Sequence, residues 1–172
     1  MKEKGYVQVY TGNGKGKTTA AVGVAVRTLM MGRRVYMGQF VKSIRYNEAR
    51  LDEIFPGFTI EQYGSGCWID REATEEDRRM AQTGYEKALH AVTSGQFDLV
   101  ILDELNIALY YNMISTEQAL HLIRSKDTHT ELIITGRYAP DALMDAADLV
   151  TEMKEIKHYY RQGVEAREGI ER

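Results

Sequence analysis

An α/β fold, a mainly parallel sheet flanked by helices, is what this chain of 172 residues predicts. Three observations lead there. Short apolar or alternating runs of strand length recur along the chain, with helical stretches between them. One of these runs, "LVILDE", is apolar for four residues before its acids, as in a strand covered on both faces. A glycine-rich turn, "TGNGKGKTT", joins the first strand to a long helix, and such sheets bind ligands beyond the carboxyl ends of their strands.

The elements follow in order. "GYVQVY" (residues 5–10) is the first strand. Residues 17–31 are helical, with Arg27 the only charge between Thr18 and Gly32. A helix apolar on all sides is expected to be buried, and Gly32 stands where a C-cap belongs. "RRVYMGQF" (33–40) is a second strand; a short helix then runs up to Phe55, and "FTIEQY" (58–63) is a third strand. After the loop "GSGCWID", Thr74 opens a helix to about residue 93, with Asp77 at a capping-box spacing. "FDLVILDE" (97–104) is the fully covered strand. Helical pieces follow at 105–112 and 116–125, then a strand at 129–136, a short helix at 140–147 and a last strand at 149–156. The polar tail from residue 157 has no periodic pattern. Tyr10, Tyr36 and Tyr63 fall on strands and belong to the core, whereas Tyr110 and Tyr111 follow the acidic strand end closely enough for one to face a ligand.

Composition narrows the function. The length fits one domain over residues 1–172. With 22 basic against 25 acidic residues and a pI near 5.8, a nucleic-acid binder relying on a broad basic surface is not expected. Cys67 is the single cysteine, which removes a disulfide framework and a thiolate zinc site. No signal peptide and no run of membrane-spanning length is present. A cytoplasmic protein without a membrane partner is the expectation.

The chemistry concentrates in the glycine-rich turn. The phosphate-loop pattern is G-x-x-x-x-G-K-[ST] between strand and helix. Gly16, Lys17 and Thr18 supply its second half, while Thr11 occupies the place of the first glycine. Gly12, Gly14 and Gly16 leave the backbone free to turn its amides around an anion. Lys17 adds a point charge, the helix N-terminus adds its partial charge, and Thr18 offers a hydroxyl to magnesium. A dinucleotide fingerprint fits less well, because Lys17 stands at its third glycine. Asp103 and Glu104, ending a neighbouring strand, are both placed to supply the carboxylate such a site needs. Arg137, at the end of another strand in "IITGR", either clamps phosphate oxygens or pairs with a surface acid. Arg27 lies ten residues, about 15 Å, beyond Lys17 and cannot reach the same phosphate; it snorkels or meets a partner chain. Trp68, in its glycine-flanked loop, is a core plug or a ligand contact, and His158 is a structural or solvated tail residue.

The segments "VYTGNGKGKTTAAVG", "VILDELNIAL", "IITGRYAP", "AADLVTEM" and "KHYYRQGVEAREGIE" together resemble the ATP:cob(I)alamin (corrinoid) adenosyltransferases of the CobA/BtuR/CobO type, in order over nearly the whole chain. The resemblance implies a P-loop, RecA-like nucleotide-binding fold. It implies transfer of the 5′-deoxyadenosyl group of ATP to the cobalt(I) of a reduced corrinoid, with triphosphate as the leaving group. ATP would lie in the reverse sense, its terminal phosphate where other P-loop proteins hold the α-phosphate. By the same resemblance Gly12, Asn13, Gly14, Lys15, Gly16, Lys17, Thr18 and Thr19 bind the triphosphate, joined by Arg137. Thr18 and Glu104 ligate Mg2+, or Mn2+ in its place; Lys17 and Glu104 are the catalytic pair; Trp68 meets the corrinoid. A homodimer and a reduced flavoprotein electron donor are also implied. Two departures stand out. Gly66 takes the place of a second aromatic two positions before Trp68, and only Met1 to Gly5 lead into the first strand, where family members carry a helical cover, so weaker or less selective corrinoid binding is expected. A P-loop small-molecule kinase or ATPase is the alternative.

Overall fold

Strands and helices alternate along the computed structural model, which describes residues 3–65 and 72–171. They are β1 (Val7–Thr11), α1 (Lys17–Met30), β2 (Val35–Phe40), a 3-10 turn (Asn47–Arg50) running into α2 (Leu51–Ile54), β3 (Phe58–Tyr63) and α3 (Glu75–Thr93). After these come β4 (Leu99–Asp103), α4 (Leu105–Tyr110), α5 (Thr116–Ser125), β5 (Glu131–Thr135), α6 (Asp141–Asp145), β6 (Leu149–Glu152) and a 3-10 turn (Tyr159–Gln162). The strands pair in the order β3-β2-β4-β5-β1-β6, every pair parallel. This is the α/β architecture read from the sequence. Strand β5 lies between the loop strand β1 and the acid strand β4, so a side chain at the end of β5 reaches both.

One apolar layer joins the sheet to α3, α4, α5 and α6; the other joins it to α1 and α2. Both faces of β2 and β4 are buried along their whole length, as the uninterrupted apolar run of β4 requires. Tyr10, Tyr36 and Tyr63 are core residues. Edge strand β6 is exposed throughout. Among the described residues no helix is long and apolar enough to cross a membrane.

Helix α1 corrects the expectation of burial on all sides. Only the stripe Lys17, Ala21, Ala25 and Leu29 is buried, a four-residue period that lays one narrow edge on the sheet, while Thr19, Gly23 and Arg27 face outward. The apolar residues between stripe and outer face, Ala20, Val22, Val24 and Val26, are only half-buried. The helix ends at Gly32 (φ +70°), where Gly32 N–H reaches Leu29 O (2.8 Å) and Arg33 N–H reaches Thr28 O (3.3 Å), a Schellman closure. Helix α3 opens on the capping box of Thr74 and Asp77.

Gly84 lets α3 press onto the sheet. A Cβ there would stand 2.7 Å from Tyr63 Cδ2 and 2.8 Å from Phe40 Cε1. The Tyr63 ring cannot swing aside freely, since its hydroxyl is bonded to Tyr36 (2.7 Å) and Glu61 (2.6 Å). Alanine in mid-helix ordinarily gains about 1 kcal/mol over glycine, but forced overpacking costs about 1–3 kcal/mol. Gly84→Ala is therefore expected to lower the urea midpoint, and a raised midpoint would contradict this contact.

Candidate active site

The turn between β1 and α1 folds as a cradle of backbone around the Lys17 ammonium. Gly12 (φ +95°) and Gly16 (φ +119°) take left-handed conformations that other residues rarely adopt. The loop is stitched to the end of β6: Gly14 N–H donates to Met153 O (2.7 Å) and Met153 N–H to Thr11 O (2.9 Å). A Cβ on Gly12 would come within 2.4 Å of Met153 O, so glycine is required by contact as well as by φ. Thr11 repays the loss of the usual first glycine, because its hydroxyl accepts Ala139 N–H at 3.3 Å and ties the loop to the chain after β5. The Lys17 ammonium lies across the cradle, donating to Gly12 O and Gly14 O at 2.8 Å each. Burial lowers its pKa from the usual lysine value, against the pull of the Glu104 charge.

At the end of β4 the two acids separate in role. Asp103 is fully buried and its carboxylate is saturated. One oxygen accepts the hydroxyls of Thr18 (2.8 Å) and Thr135 (2.7 Å); the other accepts Lys42 Nζ (2.8 Å) and Gln39 Nε2 (3.1 Å). Burial opposes its ionisation, yet the Lys42 charge and these donors hold its pKa below the ordinary carboxylate value. Glu104 turns the other way, into a left-handed conformation (φ 59°) that Thr135 secures by accepting the Glu104 N–H at 3.1 Å. Burial, and then the neighbouring Asp103 charge, raise the Glu104 pKa, with Lys42, Lys17 and Arg137 pulling against them.

These groups meet in one cleft of about 560 Å³. Asn13, Gly14, Lys15, Gly16, Lys17, Thr18 and Thr19 form its loop wall. Glu104, Ile107 and Tyr111 come from the β4 end, Arg137 and Tyr138 from the β5 end, and Val41 and Lys42 from the β2 end. Gly12 lies beneath the loop as its anchor, and Asp103 beneath the floor as its brace. Of the tyrosine pair, Tyr111 lines the cleft. Trp68 and Gly66 lie outside the described residues.

Two components were not visible in the sequence. Lys42, a lone lysine after a strand, reaches the cleft and shares Asp103 with Thr18. The tail, patternless in sequence, returns to the loop. Glu171 accepts Lys15 Nζ (2.6 Å), Lys15 also donates to Tyr159 Oη (2.9 Å), and Asn47 Nδ2 donates to Glu168 (2.7 Å). His158 also lines the cleft while its ring accepts Tyr160 N–H (3.1 Å), so the residue read as structural or solvated does a structural job at the cleft wall. Only the likeness of the tail to a family pattern signalled any of this.

The cleft suits a polyanion. Loop amides, Lys15, Lys17, Lys42 and Arg137 supply positive charge, against Glu104 and two further wall carboxylates, Glu171 paired with Lys15 and Glu48 held by Gln39 beside Lys42. Among the described residues no three His, Cys, Asp or Glu side chains form a metal cage of their own. The available donors are hard oxygens, namely the Thr18 hydroxyl, whose proton is committed to Asp103, and the Glu104 carboxylate. That set fits Mg2+ or Mn2+ held jointly with phosphate oxygens.

Comparison with known proteins matches the sequence model of ATP:corrinoid adenosyltransferase BtuR/CobO/CobP to residues 3–172. The corrinoid adenosyltransferase of Sinorhizobium sp is 36% identical over 98% of this chain and 81% of its own length. The corrinoid adenosyltransferase CobA of Salmonella typhimurium is 32% identical over 99% and 87%, and that of Escherichia coli strain K12 is 32% identical over 98% and 86%.

Proposed function

The chain belongs to the ATP:corrinoid adenosyltransferase family, and from that premise we propose that it moves the 5′-deoxyadenosyl group of ATP onto the cobalt(I) of a reduced corrinoid, releasing triphosphate. The observation that carries the reading is the convergence of the family-like segments on one cleft, with the loop, Glu104, Arg137 and the tail all at its walls.

In this reading residues 12–19 cradle the triphosphate, with Lys17 turning from its carbonyls to the phosphates and Arg137 clamping from β5. ATP lies reversed, so that its α-phosphate, not its γ-phosphate, comes to the acid end and the ribose C5′ is open to attack. The displacement is at carbon and needs no activated water. What it needs is stabilisation of a departing polyanion, which preorganised amides and ammonium groups provide best in a partly dehydrated cleft. Thr18 and Glu104 hold Mg2+ or Mn2+, which when bound neutralises phosphate charge. Trp68 meets the corrinoid, although Gly66 stands where the family keeps a second aromatic. We take residues 1–172 as one catalytic domain of a cytoplasmic homodimer supplied with electrons by a reduced flavoprotein.

Anaerobic incubation with ATP, magnesium and chemically reduced corrinoid tests the proposal. A light-sensitive alkylcobalt spectrum with an equivalent of triphosphate is expected. ADP or orthophosphate with no organocobalt product would establish the kinase or ATPase alternative instead. Glu104→Gln is expected to raise the magnesium requirement at least about tenfold, since even indirect partners of a metal ligand are worth that much. A magnesium titration identical to that of the unaltered protein would remove Glu104 from the metal site.

A further inference from the structure

Lys42 is absent from every motif read in the sequence, yet the backbone strains to place it. Strand β2 ends at Phe40, and Val41 then adopts φ 62°, a left-handed conformation that a β-branched residue takes only at a cost. The bend is pinned on both sides. Val41 N–H donates to Tyr63 O (2.9 Å), and Gly64 packs so closely that a Cβ there would fall 2.4 Å from Val41 C and 2.5 Å from Lys42 N. Strain of this kind persists where the surroundings enforce it, and it clusters at functional sites. What the bend delivers is the Lys42 side chain, 13% exposed, into the cleft.

The ammonium meets two acids. Asp103 accepts one N–H at 2.8 Å, and Glu48 lies 3.7 Å away. Lys42 is the charge that neutralises buried Asp103, but one N–H is enough for that, since Thr18, Thr135 and Gln39 fill the other acceptor positions of the carboxylate. An ammonium carries three N–H donors, and its cleft position leaves it able to serve Asp103 and an incoming anion together. Through Asp103 it is fixed relative to Thr18, the residue at the acid end of the phosphate cradle.

We infer that Lys42 is a further catalytic residue, its ammonium contacting the α-phosphate of ATP and stabilising the oxygen that leaves C5′. The inference rests on the reversed polarity proposed above, which brings the α-phosphate to the acid end. In the step itself, cobalt(I) donates an electron pair to C5′ and the cobalt–carbon bond forms. The C5′–O5′ bond breaks, and its pair remains on O5′ as triphosphate departs. No proton needs to move. Charge grows on O5′ only as the bond breaks, so a cation there acts on the transition state more than on bound ATP.

The test uses Lys42→Gln, Lys42→Arg and the double variant Lys42→Gln/Asp103→Asn, with Asp103→Asn as reference. Lys42→Gln is expected to lower kcat about a hundredfold, the usual loss for one oxyanion-stabilising donor, while ATP affinity measured by direct titration changes little. Lys42→Arg is expected to recover part of the rate. In the double variant, removing the buried carboxylate charge restores thermal stability but not kcat. Recovery of kcat in the double variant, or an unchanged kcat in Lys42→Gln, would show Lys42 to be only a partner of Asp103. Failure of the polarity reading looks different: the unaltered protein would then release ADP or orthophosphate instead of triphosphate.

Discussion

Replacing Lys17 by alanine is expected to reduce adenosyl transfer about 10²–10³-fold, the range seen when one preorganised electrostatic stabiliser is removed, without unfolding the protein. Lys17 begins α1 on the buried stripe, but among the described residues its ammonium bonds only to Gly12 O and Gly14 O. Those carbonyls sit in a loop that opens to the cleft, where water replaces the lost donor. The fold of the loop does not depend on this ammonium, because Gly12 and Gly14 are fixed through Thr11 and Met153. The loss therefore falls on the anion, not on the cradle. The measurement is the initial rate of alkylcobalt formation together with the far-UV spectrum and melting temperature. Near-normal turnover in a folded Lys17→Ala protein would take the loop lysine out of the reaction.

The strands and helices were legible because sheet burial leaves periodic marks. β4 reads as apolar without interruption because α1 covers one face and α3 the other, and β3 and α5 fall on the residues their patterns indicate. Helix α1 misled for a physical reason: alanine, glycine and valine count as apolar in a pattern, yet the helix rests on the sheet along one edge, with its flanks half-buried and its outer face exposed. At the site, motif spacing identified the loop and the acid pair, but not which acid faces the cleft. That choice is made by the left-handed turn at Glu104 and by Thr135, thirty-one residues further along. Lys42 and the tail were invisible for a related reason. Polar pairs such as Lys15 with Glu171 join residues at opposite ends of the chain, and hydrophobic periodicity carries no record of them.

Removing the Asp103 side chain is expected to be the most destabilising change at the site. In Asp103→Ala, Thr18, Thr135 and Gln39 each lose an acceptor, and Lys42 loses its close counter-ion while 87% of its side chain remains covered, since only 13% is exposed. Breaking a buried ion pair from one side costs about 3–5 kcal/mol, because the surviving charge stays desolvated. Glu48, 3.7 Å from Lys42, offsets part of that cost, and the Gln39 amide keeps Glu48 and Gln62 as partners. Asp103→Asn keeps an acceptor for the two threonine hydroxyls and is expected to lose less. The two variants therefore separate shape from charge, and urea unfolding reads the difference as a shift in midpoint at constant slope. If Asp103→Ala unfolds within about 1 kcal/mol of the unaltered protein, the carboxylate is not the brace of the site. Thr18 and Lys42 would then have to be held by other means, and the double variant that isolates Lys42 chemistry would lose its physical basis.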